Sequence, residues 1–425
     1  MKYFGTDGIR GIVGKKIDEK LLKRLAKAVV AYLKAHNLPN KIVVGNDSRI
    51  SSDYIFAVMQ SIFHKSGVQT FDIGQCSSPC LAFVTKKNKF PLGMMISASH
   101  NPSEYNGIKF FDASGKKVDD KFEQELEILI EKNPHISKAA YTFNTKAQNL
   151  KNEYISMLKA AKKVNYPCIL DCANGGGSEI AKQVFPSTKI INCLPNGKNI
   201  NQNSGCTHIE MLANLCREKN LIGFAFDGDA DRVVAVDKTG DVINGDKILY
   251  ILSKFYLKSG DCLIGNINTN SGLAEALACR RIKLVRSSIG DRCVYQKMMQ
   301  TKSMLGGEGS GHIIIKRLTN TGDGILTAIC LMNILHLTNL SFKELLDGYH
   351  EYFVAEFSLP LEKEFKTTQN LNLLIDSYTE QGARIVVRPS GTEPVLRLLV
   401  EHKDKATANK MLSALVYTIK NLPKF

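Results

Sequence analysis

Lys41-Ile42-Val43-Val44-Gly45-Asn46-Asp47-Ser48-Arg49 opens with a branched apolar run after Lys41 and closes on four polar residues after a glycine. It reads as a buried strand that ends in a turn. The chain then alternates: helical spacing over 52–65, a strand over 70–73, and a second apolar run that stops before Ser97. Upstream, 21–33 sets apolar residues at helical spacing with lysines between them, an amphipathic helix. Parallel strands need crossover connections, which helices supply. The pattern therefore predicts an α/β domain built on a largely parallel sheet.

Working outward, Met95-Ile96-Ser97-Ala98-Ser99-His100-Asn101-Pro102 places Ser99 in a short polar turn directly after that second run. Ser and Asn divert hydrogen bonds into local turns, and Pro102 cannot continue a ladder. Such strand-end loops are where open α/β sheets keep their sites. Taken alone the stretch is an ordinary serine-rich turn. Gly5-Thr6-Asp7-Gly8-Ile9-Arg10-Gly11 holds three glycines in seven residues and reads as a loop that approaches a ligand closely. An Asn106-Gly107 turn is expected to put Lys109 on a short strand beside the serine loop. The polar, aperiodic stretch from 134 to about 145 marks the first expected domain boundary.

A second unit opens with a helix over 150–163 and a strand over 168–171, followed by Asn174-Gly175-Gly176-Gly177. That triple glycine matches neither the dinucleotide fingerprint nor a Walker A loop. Further on, Asp227-Gly228-Asp229-Ala230-Asp231-Arg232 lies between the strand-like runs 221–226 and 233–236. Three carboxylates so close repel one another unless a cation is bound. Oxygen ligands favour a hard divalent ion such as Mg²⁺ over zinc. An EF-hand is excluded, because Arg232 and Lys238 stand where it needs Gly and Glu.

A third unit opens with the strand at 262–265. The strand-then-asparagine passages after Val44, Leu170 and Ile264 hint at one α/β unit used three times. Within the third lies Gly306-Gly307-Glu308-Gly309-Ser310-Gly311-His312, whose Glu308 and Ser310 can together hold vicinal hydroxyls. Its spacing excludes a hydrolase nucleophile elbow. Pro360 and the charged stretch 362–370 read as a linker. The last unit has a strand over 384–387, the turn Arg388-Pro389-Ser390-Gly391-Thr392-Glu393-Pro394, a strand over 395–400 and a helix over 405–420. Arg388, Ser390, Gly391 and Thr392 can surround a phosphate with charged hydrogen bonds and backbone amides.

At 425 residues the chain exceeds one compact core, and its 44% hydrophobic and 23% charged composition is that of a globular protein. The net charge of +15 comes mainly from dispersed lysines, without Trp or a nucleic-acid motif. No nucleic-acid partner is expected; the basic field instead concentrates anionic substrates. Eleven scattered cysteines, an odd number, read as reduced thiols. The start has no apolar signal core, and the longest apolar stretch, 325–337, is too short to span a bilayer. A cytoplasmic protein without a membrane partner is expected, its oligomeric state open.

The serine turn, the acidic loop, the glycine-rich loop and the terminal turn occur in that order, and together they resemble the α-D-phosphohexomutase superfamily. Phe4-Gly5-Thr6-Asp7-Gly8-Ile9-Arg10-Gly11 and Thr321-Gly322-Asp323-Gly324-Ile325-Leu326-Thr327 are similar to its glucosamine-phosphate branch. Three positions depart from that branch: Ala230 replaces a glycine, Gly309 a glutamine, and Ser204-Gly205-Cys206-Thr207-His208 varies its Cys-Gly-Ser-Thr-His. The resemblance implies three α/β domains (1–145, 146–246, 247–360) and a smaller C-terminal α+β domain (361–425) around a central cleft. It implies a phosphoryl group on Ser99 and Mg²⁺ held by that phosphoserine with Asp227, Asp229 and Asp231. It further implies a sugar 1,6-bisphosphate as intermediate and activator, and glucosamine 6-phosphate and 1-phosphate as the phosphosugars interconverted. Glucose and mannose phosphates are the runner-up substrates. Arg10, Arg232 and Lys109 would neutralise charge, with Lys109 as the candidate general acid or base and His100 and His312 as secondary ones. Glu308, Ser310 and His312 would bind the sugar, and Arg388, Ser390, Gly391 and Thr392 its distal phosphate.

Overall fold

The computed structural model describes residues 2–5, 7–135, 144–361, 365, 367–390 and 394–421. The first sheet has six strands: β1 (Ile9–Ile12), β2 (Lys41–Asn46), β3 (Gln69–Gln75), β4 (Leu92–Ile96), β5 (Tyr105–Asp112) and β6 (Asn144–Lys146). Around it lie α1 (Glu19–Ala35), α2 (Ser52–Lys65), α3 (Ser78–Lys87) and α4 (Asp120–Lys132). Helix α5 (Asn149–Ala161) leads into the second sheet, made of β7 (Cys168–Asp171), β8 (Lys189–Ile191), β9 (Ile222–Phe226), β10 (Val233–Val236) and β11 (Val242–Ile243), with α6 (Ser178–Val184) and α7 (Glu210–Lys219) as crossovers.

Helix α8 (Gly245–Tyr256) leads into the third sheet: β12 (Cys262–Asn266), β13 (Lys283–Ser287), β14 (Leu305–Gly307) and β15 (Ile313–Ile315). Its helices are α9 (Ser271–Ala278), α10 (Asp291–Thr301), α11 (Gly324–Thr338) and the short α12 (Phe342–Leu345). The last sheet, β16 (Phe353–Pro360), β17 (Arg384–Pro389) and β18 (Val395–His402), carries α13 (Gln369–Glu380) and α14 (Lys405–Lys420).

The strand orders show one plan used three times. β5-β4-β2-β3, β10-β9-β7-β8 and β15-β14-β12-β13 run in the same sequence across their sheets. In each, the first three strands in chain order are mutually parallel and the fourth turns back antiparallel. The strands after which the sequence hinted at a repeat, β2, β7 and β12, hold the same inner place. Ser99, the three aspartates and Glu308 all occupy the connection between the third and fourth strands of their own repeat.

Two local expectations are corrected. Asn106 and Gly107 lie inside β5, not in a turn. A Cβ at Gly107 would stand 2.6 Å from the Ser97 carbonyl oxygen and 2.8 Å from that of Ile9, so glycine serves close strand approach there. Residues 9–11, read as loop, form β1 and pair with β5, Arg10 opposite Gly107. Downstream, the linker reading of 362–370 lies partly outside the described residues; Pro360 ends β16, and 369–370 open α13.

One apolar core runs continuously from Val43, Met95 and Phe111 of the first sheet through Leu170 and Phe224 of the second to Leu263 and Leu305 of the third. Helix α11 is buried along most of its length, as an all-apolar helix must be. The C-terminal sheet has a separate core around Leu396, Leu398 and Val400. Its opposite face meets the third sheet through polar groups. Arg384 there donates to Glu401 at 2.6 Å and to the Ile267 carbonyl at 2.6 Å. No helix among the described residues is long and apolar enough to cross a membrane.

Candidate active site

Ser99 sits at the centre of a buried network. Its φ of +50° is in the left-handed region, which costs a non-glycine residue about 1–2 kcal/mol. Its neighbours hold it there: the Ser99 N–H donates to Ser97 Oγ at 2.9 Å, and its carbonyl accepts from Arg49 and Asn201, each at 2.8 Å. Ser97 donates in turn to Asp47 at 2.6 Å, and Asp47 pairs with Arg49 at 3.0 Å. The Arg49 guanidinium also reaches the carbonyls of Asn101, Pro102 and Tyr105. Backbone strain, a buried ion pair and convergent donors all fix one serine hydroxyl.

That hydroxyl donates to Asp227 Oδ2 at 2.7 Å and stands 3.3 Å from His100 Nδ1. Gly228 makes the approach possible, since a Cβ there would come within 2.6 Å of the Ser99 carbonyl oxygen. Asp227, Asp229 and Asp231 are buried, with ligand oxygens all within 4.8 Å of one another. Arg232 N–H donates to Asp227 Oδ1 at 3.1 Å. Asp229 Oδ2 accepts from Ser78 Oγ and pairs with the Lys109 ammonium at 2.5 Å. Asp229 Oδ1 and Asp231 Oδ1 are buried without a hydrogen-bond partner. Orphaned carboxylate oxygens at this density fit a hard divalent cation.

Burial, then repulsion from Asp229 and Asp231, pushes the Asp227 carboxyl well above its usual range. Asp229 goes the other way: burial opposes its charge, but Lys109 outweighs burial and holds the carboxyl below that range. Burial alone would lower Lys109, yet Asp229 and Asp7 overcome it and hold the ammonium charged. Burial, with Arg232 and Arg10, pulls His100 down to about 4. Arg10 pairs with Asp7 and donates to Asn101 Oδ1 at 2.9 Å, so it braces the serine loop from β1.

His312 closes the third side, its Nε2 standing 3.9 Å from Asp231 Oδ2 and accepting from the Gly322 N–H at 3.2 Å. Glu308, on the same connection, is held by Asn266 at 2.7 Å and by the Gly290 N–H at 3.1 Å. Ser310 is exposed, its Oγ 3.5 Å from Glu308 Oε2.

Models of the phosphoglucomutase/phosphomannomutase family match this chain: alpha/beta/alpha domain I over 1–136, alpha/beta/alpha domain III over 244–352 and the C-terminal domain over 363–416. The phosphoglucosamine mutase of Halalkalibacterium halodurans is 34% identical over 440 aligned positions, covering 99% of this chain and 98% of that protein. The chain belongs to the phosphohexomutase family. The phosphoglucosamine mutase of Thermotoga maritima is 35% identical, with 97% of each chain covered. A crystal structure of a phosphoglucomutase/phosphomannomutase family protein from Burkholderia thailandensis superposes with a TM-score of 0.80 at 21% identity, covering 99% of this chain and 98% of that one.

In this phosphohexomutase, Arg388 lies on the C-terminal sheet, opposite Arg397 of β18, and faces Asn268 across a cavity of about 60 Å³. It is not among the groups packed around Ser99. Ser390 is half-buried at the end of the same turn, and Gly391 and Thr392 lie outside the described residues. Sequence reading missed Arg49, Asp47, Asn201, Asp7, Lys117 and Asp291. Asp47 and Arg49 follow a strand, Asp291 opens a helix and Asn201 lies in a long connection, and none carries a local sign of the distant groups it meets.

Proposed function

We propose that this phosphohexomutase interconverts glucosamine 6-phosphate and glucosamine 1-phosphate, with Ser99 as the phosphoryl carrier. The reaction serves amino-sugar nucleotide and cell-wall precursor synthesis. The observation that carries the reading is the Ser99 hydroxyl, fixed 2.7 Å from Asp227 within a buried triad of carboxylates. In the active form Ser99 bears a phosphoryl group. The free hydroxyl of the bound sugar phosphate attacks that phosphorus and the bond to Oγ breaks. A proton moves from the sugar hydroxyl to Oγ, and a sugar 1,6-bisphosphate forms. After the bisphosphate turns over, Oγ attacks its other phosphorus and the product leaves.

Mg²⁺, held by Asp227, Asp229, Asp231 and the phosphoserine, would neutralise charge on the group in transfer. Lys109, Arg10 and Arg232 add fixed positive charge from the chain itself. Lys109 is the first candidate to carry the proton, with His100, whose Nδ1 stands 3.3 Å from Oγ, and His312 as secondary ones. Glu308, Ser310 and His312 orient the sugar, while Arg388, Ser390, Gly391 and Thr392 anchor the phosphate not in transfer. The divisions 1–145, 146–246, 247–360 and 361–425 assign one of these tasks to each unit, and the protein works in the cytoplasm.

A coupled assay on glucosamine, glucose and mannose 6-phosphates with Mg²⁺ tests the substrate. Glucosamine 6-phosphate should give the highest kcat/KM. A preference for glucose or mannose phosphate would reassign the protein within its family, and net release of inorganic phosphate would make it a phosphatase.

A further inference from the structure

Lys117 lies between β5 and α4, and its side chain is 12% exposed. Its ammonium meets carboxylates from three parts of the fold: Asp291 in a close ion pair, Asp7 at 2.6 Å and Asp231 Oδ2 at 3.6 Å. Asp231, Asp291 and His312 form a second cluster whose ligand atoms lie within 4.8 Å of one another, like the metal triad. The two clusters share Asp231.

They differ in how their oxygens are used. The triad leaves Asp229 Oδ1 and Asp231 Oδ1 buried and unpartnered. In the second cluster Asp291 Oδ2 is taken by Lys117 and Asp291 Oδ1 accepts from the Arg292 N–H at 2.7 Å. Asp231 Oδ2 thus faces Lys117 at 3.6 Å, Lys109 at 3.7 Å and His312 at 3.9 Å, and its Oδ1 is left without a hydrogen bond.

We propose that Lys117 is a tethered cation that fills this second cradle, so that the protein takes one exchangeable divalent ion and Asp231 is oriented to ligate it. Lys117 is on this view a positioning residue, acting through Asp231 and joining the first unit to the third at Asp291. The inference rests on the metal reading of the acidic loop.

The test is a count of Mn²⁺ bound per chain, by equilibrium dialysis at slightly alkaline pH, with electron paramagnetic resonance to detect coupling between ions. The wild type and Lys117→Arg should hold one ion. Lys117→Ala should hold two, magnetically coupled because Asp231 bridges them. If the alanine variant does not fold, Lys117→Met, which keeps the apolar stem, is counted instead. One ion in a folded Lys117→Ala or Lys117→Met protein overturns the inference alone, as do two ions in the wild type. No ion in the wild type would sink the metal reading itself, and this inference with it.

Discussion

At Arg49 a single guanidinium meets Asp47 and the carbonyls of Ser99, Asn101, Pro102 and Tyr105, so the shape of the serine loop depends on one fork of donors. Both partners of the ion pair are fully buried. Removing one partner of such a pair costs about 3–5 kcal/mol, because the other is left as an uncompensated charge. Arg49→Met should therefore lower the unfolding free energy from denaturant titration by that order and depress kcat. Arg49→Lys restores the charge but not the planar fork, and should recover only part of either. Unchanged stability and turnover in Arg49→Met would show that the loop holds itself. Ala230 is the counter-case. Its φ is +55° and it is buried, so left-handed strain of about 1–2 kcal/mol opposes a methyl burial worth about 0.8 kcal/mol. Burial offsets part of the strain, so the departure from glycine costs on the order of 1 kcal/mol or less.

At the scale of elements, α11 begins on a carboxylate that is costly to ionise. Asp323 caps the helix, accepting from the Leu326 N–H at 2.9 Å and from Tyr154 OH at 2.8 Å. Burial still pushes its carboxyl up to about 6. The unfolded value is about 3.9, so between pH 4 and 6 the folded chain holds a proton that the unfolded chain has lost. Raising the pH through that window therefore removes stability, up to about 3 kcal/mol above pH 6. Asp323→Asn keeps an oxygen for the cap and has no proton to lose. It should melt higher than the wild type at pH 7.5 and converge with it at pH 4, as followed by thermal unfolding across pH. A constant difference across that range would mean that Asp323 titrates normally. The ends of α2, β7 and α14 were legible from the pattern of apolar residues and the turns that bound it, whereas the cap at Asp323 went unread. So did the role of Gly107. Its reasons for being glycine are the carbonyls of Ser97 and Ile9 on the two neighbouring passes of chain, the second nearly a hundred residues away, and a local Asn-Gly pair carries no trace of either.

At the scale of the whole molecule, the proposed chemistry and the proposed anchoring fall on different sheets. Lys109 is buried against Asp229 among the reacting groups, whereas Arg388 sits half-buried on the C-terminal sheet. Lys109→Ala should lower kcat, since its charge matters most while the phosphoryl group moves. Arg388→Ala removes a charged contact worth about 1.5–3 kcal/mol and should raise KM by roughly tenfold or more. Steady-state kinetics on the preferred sugar phosphate separates the two, and the reverse pattern would show the roles exchanged. The order of the motifs along the chain suggests this proposed division, but Lys117 and Asp291 could not be found that way. Each is an ordinary charged residue at the edge of an element, and only the packed repeats bring them together. Phosphoryl transfer through Ser99 is the central claim, and it is tested most directly by following label from protein phosphorylated with radioactive phosphate at that residue. On addition of unlabelled glucosamine 6-phosphate, the label should leave Ser99 and appear in sugar phosphates. Label that stays on the protein through many turnovers, or emerges as inorganic phosphate, would contradict it.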